Sequence, residues 1–106
     1  MIYYGDIDET ICYYNKEKCC EKTGARDYKK AIPIKTNIEK INKLYEEGNT
    51  VIYWTARGTV TGIDWYDLTG QQLDQWGAKY HEYKVGKPAY DVFICDKAIN
   101  SQNFFK

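Results

Sequence analysis

The sequence predicts an α/β fold built on a mostly parallel sheet, and three observations point there. A short apolar strand at the start of the chain runs straight into two carboxylates, Asp6 and Asp8. A helical stretch then leads into Thr50-Val51-Ile52-Tyr53-Trp54, a continuous β-branched and aromatic run of the kind buried on both faces of a parallel sheet. A second such run, Tyr90 to Cys95, again ends in an acid, Asp96. Strand and helix alternate along the chain as βαβ units do.

The first twelve residues carry the most chemistry. Side chains alternate along an extended chain, so Asp6 and Asp8 project to one side where the strand becomes a loop. Two carboxylates at one place repel unless a cation neutralises them or one holds a proton. With a hard cation such as Mg²⁺, one is suited to be ligand and nucleophile and the other general acid and base. Thr10 adds a hydroxyl to the same loop. The plainer reading, an acidic turn at a strand end, stands beside this one.

At 106 residues the chain is expected to be one domain, with a real core but no second domain over a substrate. Fifteen basic and fifteen acidic residues balance, which argues against a general polyanion binder. No apolar run approaches the roughly 20 residues of a membrane span, and no signal core follows Met1, so a cytoplasmic location is expected. Cys19-Cys20 are adjacent and no C-x-x-C pair occurs, which is poor spacing for structural zinc. Cys95, inside an apolar run, reads as a buried small hydrophobe.

From Tyr13 to Lys30 the chain is polar and lysine-rich, a loop or short hairpin with one helical turn. It either covers the acidic loop or is a solvated connection. After Pro33, Thr36-Asn37-Ile38-Glu39 reads as a capping box. Ile38, Ile41, Leu44 and Tyr45 share a helix face, and Gly48-Asn49 ends the helix.

The next strand ends in Thr55-Ala56-Arg57-Gly58. Parallel strands one crossover apart end on the same edge, so Thr55 is brought near Asp6 and Asp8, either to hold a phosphoryl oxygen or merely to cap the adjoining segment. Arg57, just beyond, either binds substrate or forms a surface ion pair.

Thr61 to Gly77 reads as helix in two pieces. Ile63, Trp65 and Leu68 belong to the first, and Thr69-Gly70-Gln71-Gln72 caps a second that buries Leu73 and Trp76. Lys79 to Val85 is a short amphipathic strand in which His81 reads as structural. Lys87, between Gly86 and Pro88, is placed to offer a point charge to a nucleophile or phosphoryl group. Asp96, with Asn100 four residues on, adds oxygen donors, and the Phe104-Phe105 tail is expected to pack on the sheet.

Asp6-x-Asp8-x-Thr10, then Thr55, then Lys87, then Asp96-x-x-x-Asn100, each at a predicted strand end, resembles the four motifs of the haloacid-dehalogenase-like (HAD) superfamily, over nearly the whole chain. The resemblance implies a Rossmannoid sheet, Mg²⁺ dependence and phosphoryl transfer through an aspartyl-phosphate. It casts Asp6 as nucleophile and, with the backbone carbonyl of Asp8 and with Asp96, as metal ligand. The Asp8 carboxylate is implied as acid and base, Thr55 as the phosphate-orienting hydroxyl and Lys87 as the charge-stabilising lysine, these three being catalytic together with Asp6. Thr10, Arg57 and Asn100 are further candidate substrate contacts. Retention of Asp8 favours a phosphatase acting on a sugar phosphate or another small phosphorylated substrate.

Two departures stand out: Glu9 occupies a position that is Gly in many members, and Cys95 replaces an acid often paired with the last aspartate. The details resemble small cap-less phosphatases. Segments too short to form a cap predict either a homo-oligomer whose partners line the pocket or a substrate large enough to need no lid. Two other functions compete with this one: an interaction module that binds Mg²⁺ or phosphate without turnover, and a nucleic-acid 3′-phosphatase, which the neutral charge disfavours.

Overall fold

The computed structural model describes residues 1–15 and 27–106. The adjacent cysteines Cys19 and Cys20, and most of the polar stretch expected to form a loop or short hairpin, lie outside the described residues. Strand β1 (Ile2–Gly5) pairs in parallel with β4 (Thr50–Trp54), which pairs in parallel with β5 (Glu82–Lys84), so the main sheet has the order β1-β4-β5. A two-residue antiparallel pair, β2 (Cys12–Tyr13) with β3 (Ile32–Pro33), stands beside it, and Tyr28–Lys30 form the one helical turn expected of that region.

Helix α1 (Lys35–Glu46) leads into β4 and α2 (Tyr66–Gln75) leads towards β5. Both helices cover one face of the sheet, the face of Gly5, Val51, Tyr53 and Tyr83. A Cβ on Gly5 would stand 3.3 Å from the Tyr53 ring and 4.0 Å from Ile41 of α1. On the other side α2 comes so close to β5 that a Cβ on Gly70 would stand 2.3 Å from the Tyr83 hydroxyl. Ile7, Ile11, Ile38, Ile41, Val51, Tyr53, Leu73 and Trp76 make one contiguous core between helices and sheet. The architecture is thus α/β with a parallel sheet, as the sequence predicts.

Among the described residues nothing covers the opposite sheet face. Val51 and Tyr53 are buried as expected of a central strand, but Ile52 and Trp54 between them are only half-buried, and Ile2 and Tyr4 are exposed. The reading of β4 as buried on both faces therefore holds for alternate residues only.

Further expectations are corrected. Helix α1 begins at Lys35, before the supposed capping box. Its N-cap, Ile34, makes no side-chain cap, and Asn37 instead donates to the Thr10 carbonyl at 2.9 Å. Thr69-Gly70-Gln71-Gln72 lies inside α2 and not at its start, and Ile63 and Trp65 precede the helix. The run Tyr90 to Cys95 forms no strand, and Val92 and Ile94 are 75% and 95% exposed. β-propensity records fit to a pleated, half-buried surface, and without a neighbouring strand the run has no such surface to join. Cys95 is accordingly exposed instead of buried. The tail forms a short helix, α3 (Ser101–Phe104), and meets α1, with Lys40 Nζ 4.7 Å from the Phe104 ring centre. Among the described residues no helix is long and apolar enough to cross a membrane.

Candidate active site

Parallel pairing fixes the site's frame. Gly5 lies opposite Tyr53, so Asp6 and Thr55 leave the sheet together at its carboxyl edge. Thr55 ties in the third component from the next strand. Its amide donates to the Lys84 carbonyl at 2.9 Å and its carbonyl accepts from the Lys87 amide at 3.1 Å. This fixes the Gly86-Lys87-Pro88 loop over the end of β4, and Lys87 Nζ stands 3.8 Å from Asp6 Oδ2. Asp6, Thr55 and Lys87, far apart in sequence, are brought together.

Asp6 is half-buried, and its Oδ1 accepts from the Ile7 amide at 2.8 Å. Burial raises its carboxyl above the ordinary value, more than Lys87 and the Ile7 amide lower it, and the Asp8 charge adds to the rise. A carboxylate desolvated in this way favours a cation beside it.

The Asp8 carboxylate is gripped by Arg57. Arg57 Nη2 donates to Oδ1 at 2.9 Å and Nε donates to Oδ2 at 3.1 Å, a bidentate fork. The Tyr14 hydroxyl makes a short hydrogen bond to Oδ1, and Cys12 Sγ lies 3.5 Å from the same oxygen. On its far side the guanidinium donates through Nη1 to Thr69 Oγ1 at 3.1 Å and Gln72 Oε1 at 2.6 Å, while its face covers the Tyr28 ring at 4.8 Å. Burial opposes the Arg57 charge, but hydrogen bonding and attraction to Asp8 more than offset it and hold Arg57 above its usual value. The same surroundings push the Cys12 thiol up to about 12, through burial first and the Asp8 charge second, so Cys12 is a neutral packing residue.

Arg57 is therefore neither of the things the sequence allowed. It is 2% exposed, so it is no surface ion pair, and its side chain is turned into the protein rather than towards a substrate. Thr55 Oγ1 accepts from the Arg57 amide at 3.2 Å, which matches the capping alternative for this residue. Thr10 lies in the loop turn, its amide donating to the Ile7 carbonyl at 3.2 Å. Glu9 takes a φ of 62°, the left-handed conformation that glycine adopts at no steric cost.

Two expected members are not gathered in. Asp96 is exposed, and its Oδ1 accepts a long hydrogen bond from Cys95 Sγ at 3.9 Å. Asn100 caps α3, accepting from the Gln102 amide at 2.9 Å. Both depend on a strand from Tyr90 to Cys95 that does not form. Among the described residues no three of His, Cys, Asp and Glu gather as a metal centre, so Asp6, Asp8 and Asp96 do not make a three-carboxylate site. A magnesium ion keeps several waters and takes one or two carboxylates with substrate phosphate. The Asp6 carboxylate and the Asp8 carbonyl, which accepts no hydrogen bond among the described residues, fit that smaller demand.

Tyr14 and Tyr28 were not singled out by the sequence, and Thr69 and Gln72 were read only as parts of a capping box. One signal was present: Thr69 and Gln72 stand three apart in α2 on the face that buries Leu73, and a buried polar pair at helical spacing calls for a partner. His81 is structural, as expected: its Nδ1 accepts from the Val51 amide at 3.1 Å.

No family model and no curated protein matches the chain. Among solved structures it is similar to the crystal structure of a structural-genomics target from Vibrio cholerae, with a TM-score of 0.79 and 23% identity over 98% of this chain and 86% of that one. At that identity the likeness is one of fold.

Proposed function

We propose that this chain is a Mg²⁺-dependent phosphomonoesterase of HAD type, acting through an aspartyl-phosphate on Asp6, with a sugar phosphate or other small phosphate ester as substrate. The observation that carries the proposal is the convergence of Asp6 and the Lys87 ammonium at 3.8 Å on the carboxyl edge of the sheet, with Asp8 two residues along. Asp6 attacks phosphorus as the ester oxygen departs with a proton from Asp8, and water then attacks the acyl phosphate as Asp8 takes its proton. Lys87 neutralises charge on the equatorial oxygens, and Thr55 holds the Lys87 loop through its carbonyl. Magnesium would be held by the Asp6 carboxylate and the Asp8 carbonyl and would supply further neutralisation of charge on the phosphoryl group.

One observation favours a second reading, a Mg²⁺- or phosphate-binding module without turnover: Asp96 stands outside the site. Phosphate release separates the two. A panel of generic and sugar phosphate esters is assayed with and without Mg²⁺ for the native protein and Asp6→Asn. Magnesium-dependent release that the substitution abolishes supports the phosphatase. Phosphate binding without release from any ester supports the module. The nucleic-acid 3′-phosphatase gains nothing from the site and is tested by adding oligonucleotide 3′-phosphates to the panel.

Among the described residues no cap covers this edge, and the exposed or half-buried Ile2, Tyr4, Ile52 and Trp54 on the sheet face opposite the helices support the homo-oligomer among the two expectations for such a site. Parallel sheets ordinarily have both faces covered.

A further inference from the structure

We infer that Arg57 is a positioning residue that aims the Asp8 carboxylate for proton transfer, an assignment that rests on the phosphatase reading. A guanidinium has five N–H donors in a rigid fork. All are engaged: Nε with Asp8, Nη1 with Thr69 and Gln72, Nη2 with Asp8 and Tyr14 at 3.3 Å. None remains for a substrate phosphate.

The engagement is directional. Thr69 and Gln72 lie on α2, packed into the core, and Tyr28 covers the guanidinium face, so Arg57 is fixed from behind and presents one edge to Asp8. Aspartate has a rotatable carboxyl, and the fork fixes the carboxyl plane as a single charge contact would not. Within that plane Oδ1 takes Arg57 Nη2, the Tyr14 hydroxyl and the Cys12 thiol, whereas Oδ2 takes Arg57 Nε. Oδ2 is the less encumbered oxygen and is assigned the transfer: its proton passes to the ester oxygen as the P–O bond breaks and the Asp6–P bond forms. Arg57 then stabilises the carboxylate that the transfer leaves behind.

The test uses leaving groups that differ in their need for a proton. 4-Nitrophenolate departs without one, and a hexose alkoxide does not. Arg57→Lys keeps the charge and removes the fork. The expected result is a fall in kcat/KM of about 10²-fold on a hexose phosphate and less than about 10-fold on 4-nitrophenyl phosphate, since general acid catalysis contributes of order 10²–10⁴. Equal falls on both esters identify a purely structural arginine and overturn the assignment while leaving the phosphatase intact. A rise in KM with kcat unchanged identifies a substrate contact and overturns it too. Native protein inactive on both esters overturns the phosphatase and this assignment with it. Should Arg57→Lys not fold, Gln72→Leu removes one support behind the fork, and the same selective loss, smaller in size, is expected.

Discussion

The Arg57 guanidinium, its side chain entirely out of solvent, grips the Asp8 carboxylate through Nη2 at 2.9 Å and Nε at 3.1 Å. Removing one partner of such a pair leaves a buried charge uncompensated, at a cost of about 3–5 kcal/mol, whereas replacing both by apolar groups costs far less. Asp8→Ala is therefore expected to lower the urea unfolding free energy by about that amount. The double variant Asp8→Leu, Arg57→Met is expected to be more stable than Asp8→Ala. Equal stability of the two would show that the ion pair is not what Asp8→Ala disrupts.

Glu9 holds a left-handed conformation, φ 62°, in the loop that carries Asp8. A side chain there costs about 1–2 kcal/mol that glycine does not incur, set against the greater chain entropy glycine loses on folding. The steric term is the larger, so Glu9→Gly is expected to stabilise the fold by about 0.5–1 kcal/mol. Thermal melts of the two proteins check this, and a lower melting temperature for the variant would refute it.

Tyr53 is wholly buried, and its hydroxyl has no hydrogen-bond partner among the described residues. An unsatisfied buried polar group costs about 1–3 kcal/mol, against the small packing loss of one oxygen. Tyr53→Phe should accordingly raise stability by about 1 kcal/mol in denaturant titration.

Burial lifts the Asp6 carboxyl above its ordinary value of 3.8 in the folded chain. The folded state then binds the proton more tightly than the unfolded one. The charged carboxylate thus opposes folding at every pH above its folded-state value, and that opposition fades as pH falls through that value to below 3.8. Asp6→Asn should melt higher than the native protein at neutral pH, with the gap narrowing under acid, while phosphatase activity is lost. A gap that widens as pH falls would reverse the sign assigned to this group.

Trp54 is half-buried on the sheet face opposite the helices, beside Tyr4, ring centres 6.0 Å apart. If a second copy covers this face, the native protein sediments above monomer mass and Trp54→Lys returns it to monomer. A native monomer would favour the large-substrate alternative.

The parts of the site visible in the sequence are those that a strand end fixes locally. Asp6 follows an apolar strand, Thr55 follows a β-branched one, and Lys87 sits between Gly86 and Pro88. Parallel pairing then had one edge on which to collect them. Where the sequence misled, a local pattern depended on a distant partner. Tyr90 to Cys95 has strand composition, but pairing decides whether it is a strand, and with it went Asp96 and Asn100. Thr69-Gly70-Gln71-Gln72 has capping composition, yet Gly70 is there because Tyr83 needs the space.

By itself, then, the sequence determined the α/β alternation and the gathering of Asp6, Thr55 and Lys87, because periodicity and strand ends are short-range properties of the chain. Only the tertiary structure decided that Arg57 faces inward to Asp8. The residues that hold it, Tyr14 from the segment after β2 and Thr69 and Gln72 from α2, come from parts of the chain far apart in sequence, and a buried charge goes to wherever packing has assembled enough hydrogen-bond partners to offset its lost hydration.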